Sequence, residues 1–422
     1  MILYRGQIRE NSAQQELLDR LPQEVYRPLC QERQLSAEVV IAACDRLVRR
    51  VQAGEFDHVV RPFLSLFSVS DSQFADMLRL FTREGLTEKC RVELRDDDAV
   101  SDGKILRRRY PLGVLLHIAA GNVDILPAYS VVEGLLAGNV NILKLPMGDS
   151  GLSVQLLAEL VRMEPVLEDY VYVFDVPSTE TATLKALAEL CDGVAVWGGD
   201  AAVKAARQLA GVNTKIIAWG HKLSFAYATP DAEEGELEAL AEGICDTNQL
   251  LCSSCQGIFV DTDSPEEQMA FAERFFSVLR AVNRRSRPVD YGMMAKNAIH
   301  LYNERLEQHR TGTRVLAAEG VSVLVPEDSD LSLSYLYRNV WVKRLPFAET
   351  ATLKRYKGYL QTAAVLTPDP QRRLAICRRL AAVGVVRLTS PGRMSRMACG
   401  EAHDGTYALR EYSRIVETDI YE

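Results

Sequence analysis

The ten residues Asn248-Gln-Leu-Leu-Cys-Ser-Ser-Cys-Gln-Gly257 hold the side chains best placed for chemistry. Cys252 falls in a short polar turn, after an amphipathic run ending near Thr247 and before the apolar strand candidate Gly257–Val260. A thiol between two elements is placed for attack rather than packing, and its thiolate is the nucleophile. Upstream, Pro111-Leu-Gly-Val114, Gly121-Asn122 and Asn139-Val-Asn-Ile-Leu-Lys144 follow one another in an order that makes Cys252 more than a lone cysteine. Cys252 and Cys255 form a single CxxC pair, and the six histidines stand singly. A zinc site needs two further ligands at matching spacing, so no metal is expected, and a redox dithiol is the competing reading.

The elements that must carry these residues alternate. Residues 1–104 read as mostly helical, with Val39, Val40, Ala43, Leu47 and Val51 in helical period. From Pro111 the rhythm changes. The apolar run Leu112–Ala120 precedes a helix over Pro127–Ala137, with proline near its start and Gly138 at its end. Strands over Val140–Leu145, Tyr170–Phe174, Gly193–Trp197 and Thr214–Trp219 alternate with helices over Leu152–Met163, about 179–190, and Asp200–Leu209. This is an α/β pattern of βαβ units and a parallel sheet, which binds nucleotides at the carboxyl ends of its strands.

A second α/β region runs from Leu223 to about residue 394, with strands near 257–260, 320–325 and 361–366 and a helix over about 369–383. The division expected is 1–221 for helical region and dinucleotide domain, 222–394 for the thiol domain, and 395–422 returning to the cofactor domain. Residues 411–422 alternate as a terminal strand fit for oligomerisation. The clusters Arg107–Arg109 and Arg284–Arg287 read as solvated faces, with phosphate holding as the alternative.

Length and charge bound the function. The chain has 422 residues, 47% hydrophobic, and a net charge of −8. That suits a globular protein of two or more domains and argues against a general nucleic-acid or anionic-membrane surface. Nine scattered cysteines suggest reduced thiols and a cytoplasmic location. No leader pattern and no apolar run of about 20 residues is read, so no membrane span is expected.

With these motifs in order, residues 105–415 resemble the aldehyde dehydrogenase superfamily, and within it the LuxC-type acyl-thioester reductases of bacterial bioluminescence. The narrower likeness lies in Ala195-Val-Trp-Gly-Gly199, Lys222-Leu-Ser-Phe225, Asn248-Gln249…Cys252 and Ala402-His-Asp-Gly405. The resemblance implies a Rossmann-type cofactor domain beside a second α/β catalytic domain. It makes Cys252 the nucleophile, with Cys245 and Cys255 as bystanders, although Cys255 could form a protective disulfide. Asn122 becomes the oxyanion donor beside the Cys252 N–H. Lys144 would hold the adenosine ribose or its phosphate, and Trp197, Gly198, Gly199 and Gly220 would line the cofactor.

Departures from the superfamily matter as much. Ala218 stands where oxidative relatives carry the glutamate that activates hydrolytic water, which favours reduction over oxidation. Met147 replaces a glutamate of NAD-preferring relatives, so NADPH is expected, with NADH as the alternative. The second cofactor glutamate has no clear counterpart; Glu349 is nearby in different surroundings. His403 and Asp404 read as a hydrogen-bonded turn near the substrate entrance, and His221 as a rival proton donor. The expected activity is NADPH-dependent reduction of an acyl thioester to aldehyde. Its partners would be acyl-CoA, or an acylated carrier protein or acyl-transferring enzyme, and a further copy of the chain. The alternatives are an acyl-phosphate reductase and a non-catalytic protein on this fold.

Overall fold

A computed structural model describes residues 1–31, 34–66, 71–94, 100–101, 105–119, 125–396 and 398–419. The chain divides into two compact units, Met1–Gly220 with Ala398–Glu422, and His221–Met397.

The first unit opens with the hairpin strands β1 (Ile2–Tyr4) and β2 (Gln7–Arg9). Five helices follow: α1 (Gln14–Glu24), α2 (Ala37–Gln52), α3 (Asp57–Leu66), α4 (Asp71–Arg79) and α5 (Arg83–Glu93). Ser36 caps α2 by accepting from the Glu38 N–H, and Val40, Ala43, Leu47 and Val51 form its buried stripe. The short strands β3 (Val100–Ser101) and β4 (Ile105–Pro111) lead to β5 (Val114–Ile118). Then alternate α6 (Leu126–Leu136), β6 (Val140–Lys144), α7 (Leu152–Met163), β7 (Val171–Phe174), α8 (Thr181–Glu189), β8 (Gly193–Trp197), α9 (Asp200–Leu209) and β9 (Lys215–Trp219).

The sheet order is β2-β1-β7-β6-β5-β8-β9, parallel from β7 to β9. Largely buried on both faces, these strands are predominantly apolar, which is why they read clearly in sequence. The N-terminal hairpin is an addition to the expected helical region. It joins the sheet antiparallel through Leu3 against Val173, and three-residue strands carry too little periodicity to be found.

In the second unit β10 (Leu223–Ala228), α10 (Glu234–Thr247), β11 (Cys255–Val260), α11 (Pro265–Arg285) and α12 (Tyr291–Thr311) come first. They are followed by β12 (Arg314–Ala318), β13 (Val321–Val325), β14 (Asn339–Arg344), β15 (Leu360–Leu366), α13 (Pro370–Val383) and β16 (Arg387–Thr389). The order β12-β13-β14-β11-β10-β15-β16 is parallel except for the β12–β13 hairpin. Gly257 lets the backbone of β11 lie against Trp341 of β14, since a Cβ there would sit 2.0 Å from the indole.

The chain closes in the first unit with α14 (Ala408–Glu411) and β17 (Ser413–Asp419). β17 pairs antiparallel with β4, and Arg107 meets Glu417 across the ladder at 2.6 Å. The terminal strand starts at Ser413 rather than 411, because Glu411 still belongs to the preceding helical turn.

Candidate active site

The loop around Cys252 is built from the end of α10. Asn248 caps that helix in the left-handed conformation, φ 48°, and Gln249 follows at φ 64°. The Ser254 N–H donates to the Leu251 carbonyl at 3.0 Å, closing a turn around Cys252. Cys252 is exposed, whereas Cys245 and Cys255 are buried, and all three are thiols. Burial pushes the Cys255 thiol up to about 12, so it is no thiolate at neutral pH. That weighs against the redox dithiol.

Ser224, from the Lys222–Phe225 motif, fixes the position of Cys252. Its Oγ donates to the Cys252 carbonyl at 2.7 Å and accepts from the Thr362 N–H at 3.1 Å. The strand register slips between Ser224 and Ala226 at this point. Irregularities of this kind re-aim backbone groups beside functional sites.

Gln249 and Gln256 hold the two ends of the loop. The Gln249 amide donates to the Cys255 carbonyl at 2.9 Å and to the Asn339 carbonyl at 3.1 Å. Gln256 donates to the Gln249 carbonyl at 3.3 Å and accepts from the Ser334 hydroxyl at 2.8 Å. Facing the loop is a second left-handed run, Leu336, Tyr337 and Arg338, with φ 60°, 47° and 70°. Each such residue costs about 1–3 kcal/mol and persists only where its surroundings over-determine it.

Arg338, which no sequence motif marks, joins the two runs. Its side chain is buried and reaches Asn248 Oδ1 at 3.2 Å, Asn283 Oδ1 at 2.5 Å, and the carbonyls of Cys245 and Arg287 at 3.2 and 2.6 Å. An arginine in a loop, far along the chain from Cys252, has no periodic or motif signal to reveal it. Arg284 and Arg285, by contrast, pair at the surface with Glu319, and with Glu238 and Glu242.

In the first unit, the expected cofactor residues gather at the carboxyl ends of β6, β8 and β9. Lys144 ends β6 with its ammonium 3.0 Å from Ser178 Oγ. Burial lowers its pKa, against the pull of Asp175. Met147 is 96% exposed, so its side chain makes no packing demand. Trp197 ends β8, and Gly198 and Gly199 lead into α9, whose N-terminus has no side-chain cap. A Cβ on Gly199 would meet nothing within 4 Å, while one on Gly198 would press Ala202 at 3.0 Å. Uncapped N–H groups opening on free space suit a dinucleotide phosphate, and a buried ammonium on a neighbouring strand suits its ribose or phosphate. These residues fit a nicotinamide dinucleotide. Gly220, after β9, ends this unit. Asn122 and Gly121 lie outside the described residues.

Asn139 belongs to the architecture. Its side chain accepts from the Gly113 N–H at 3.0 Å and donates to the Gly134 and Tyr412 carbonyls at 3.2 and 2.9 Å. His117 is enclosed between Ser130 at 2.7 Å and Asn141 at 3.0 Å, and burial lowers its pKa to about 4. Trp197 donates to the same Ser130 hydroxyl at 3.0 Å. His403 pairs with Thr406 through a tight turn carrying Asp404 at φ 49° and Gly405 at φ 82°. Its ring lies on Trp197 and Trp219, with centroids 5.2 and 5.1 Å away. Asp404 is 3.9 Å from the imidazole. His221 is exposed at the start of the second unit, and Glu349 is exposed in the turn Phe347–Tyr356. Among the described residues no cluster of metal-ligating side chains occurs, and no helix is long and apolar enough to cross a membrane.

The two sheets, their order and the thiol loop define an aldehyde-dehydrogenase-like fold. Glyceraldehyde-3-phosphate dehydrogenase GapN of Methanocaldococcus jannaschii, solved with NADP, superposes with a TM-score of 0.75 at 15% identity, over 99% of this chain and 96% of its own. The NAD-dependent aldehyde dehydrogenase of Sinorhizobium meliloti gives 0.75 at 15% identity, covering 100% and 94%. The sequence profile of the acyl-CoA reductase (LuxC) family matches residues 34–415, so the chain belongs to that family. It is thereby an acyl-CoA reductase, an oxidoreductase, on an aldehyde-dehydrogenase-like fold. The long-chain acyl-protein thioester reductase of Vibrio harveyi is 23% identical over 328 residues, 76% of this chain and 67% of that protein. A second such reductase, from Photobacterium leiognathi, is 26% identical over 172 residues, 40% of this chain and 36% of that protein.

Proposed function

We propose that this protein reduces an acyl thioester to the aldehyde through an acyl group carried on Cys252, using NADPH. The observation that carries the reading is an exposed thiol on a turn fixed from below by Ser224, Gln249 and Gln256. The thiolate attacks the thioester carbonyl, forming a C–S bond to Cys252 and expelling the donor thiolate, which takes a proton. Attacking and leaving sulfurs have comparable basicity, so the exchange is nearly balanced. Asn122 and the Cys252 N–H would stabilise the oxyanion.

A reduced nicotinamide held by the residues below would supply the hydride equivalent that takes the acyl group to the aldehyde level. Cys252 would carry the acyl group until then and leave as the thiolate when the aldehyde is released. Lys144 would hold the ribose or its phosphate, and Gly198 and Gly199 would admit the pyrophosphate to the α9 N-terminus. Met147 supports NADPH, because a neutral side chain does not repel a 2′-phosphate. Trp197 and Gly220 would complete the cofactor's surroundings.

Similarity to long-chain acyl-protein thioester reductases supports a long-chain acyl group carried on a protein, with acyl-CoA as the small donor. They favour a thioester over an acyl phosphate. Purified protein should oxidise NADPH with long-chain acyl-CoA at least as well as it oxidises NADH, and Met147→Glu should move preference towards NADH. Strict use of NADH by the wild type would sink the cofactor assignment. Reduction of acyl phosphates in preference to thioesters would sink the substrate class.

A further inference from the structure

We infer that Arg338 is a positioning residue that holds the Cys252 loop in its reactive geometry, an inference resting on Cys252 as the nucleophile. The two left-handed runs, Asn248–Gln249 and Leu336–Arg338, are zipped to each other. The Tyr337 N–H donates to the Asn248 carbonyl at 2.9 Å, and the Arg338 N–H donates to Gln249 Oε1 at 3.0 Å. The guanidinium then ties that junction to the end of α10, through the Cys245 carbonyl and Asn248, and to the end of α11, through Asn283 and the Arg287 carbonyl.

The choice of acceptors is informative. Arg338 is 2% exposed, and the hydrogen bonds of its guanidinium all end on neutral oxygens, with the Asp246 carboxylate near enough to favour its charge. A buried cation held mainly by neutral acceptors is costly for stability alone. Placed at a helix C-terminus, it favours the carbonyl dipoles there. Its planar fork also fixes several acceptors at set angles, which a flexible ammonium cannot do. Two of those acceptors, the Asn248 side chain and the Cys245 carbonyl, belong to residues within seven positions of Cys252. Small displacements of the thiol and of the Cys252 N–H therefore follow from any loosening at Arg338.

The test uses the full-length chain with labelled long-chain acyl-CoA and no cofactor, following transfer of label to the Cys252 peptide. Arg338→Lys keeps the charge and loses the fork. It is expected to slow acylation by about a hundredfold, the cost of a small misplacement of a reacting group, with little change in KM or melting temperature. Asn248→Gly separates position from folding: glycine keeps the left-handed conformation without strain but removes the Oδ1 acceptor, and should slow acylation by a smaller factor. Ethylguanidine should restore part of the rate to Arg338→Ala and none to Asn248→Gly. Acylation by Arg338→Lys at the wild-type rate overturns the inference, as does a loss explained wholly by raised KM or by unfolding in both variants. Wild-type protein that takes no label on Cys252 overturns the nucleophile itself, and the positioning role with it.

Discussion

At the residue scale, three thiols near one loop are told apart by burial alone. Cys252 is exposed, while Cys255 lies in β11 with its thiol held up to about 12. Labelled acyl-CoA without cofactor should mark the Cys252 peptide. Cys252→Ala should take no label, and Cys255→Ala should acylate as the wild type does; label on Cys255 would reverse the assignment. The turn that carries Cys252 was legible because a polar turn between two apolar segments is visible in one dimension. The groups that hold it were not. Ser224, Gln256 and Arg338 act through hydrogen bonds between residues far apart in the chain, and neither periodicity nor composition records those pairings. Asn139, grouped with the motif ending at Lys144 without a role of its own, serves as a buried clasp between Gly113, Gly134 and Tyr412.

At the element scale, the parallel strands of the first unit, with β11, β13 and β15, were legible because strands covered on both faces are predominantly apolar. β14 was missed, since Asn339, Lys343 and Arg344 interrupt its apolar run. Lys343 is nonetheless buried, with its ammonium 2.6 Å from Asp328. Polar groups inside the cofactor sheet give a testable pH dependence. His117, on β5, is buried between α6 and β6, and its pKa falls from 6.5 to about 4. The folded state therefore binds fewer protons than the unfolded chain between those values. Its stability is fully present above pH 6.5 and is lost as pH falls towards 4, by roughly 3 kcal/mol at most. Urea melts of the wild type and His117→Gln at pH 7.5 and 4.5 should show a smaller pH loss in the variant. Equal losses would mean that His117 is not the group being titrated.

At the scale of the whole molecule, the direction of the chemistry depends on a side chain that is not there. Ala218 sits in β9, and the resemblance aligns it with the water-activating glutamate of oxidative relatives, which is the basis of the proposed direction. An acyl group on Cys252 without a base to activate water hydrolyses slowly, so it waits for hydride or for another thiol. Run in reverse, aldehyde and NADP⁺ would then acylate the enzyme and stop, yielding little free acid. CoA should restart turnover, because thiol exchange needs no activated water, and the product should be acyl-CoA. Ala218→Glu is expected to raise acid release, provided that its carboxylate reaches the acyl carbon. The measurement is free acid against acyl-CoA, with and without CoA, for both proteins. Rapid conversion of aldehyde to acid by the wild type without CoA would mean that another base fills the role, and the chain would then be an oxidising dehydrogenase rather than a thioester reductase.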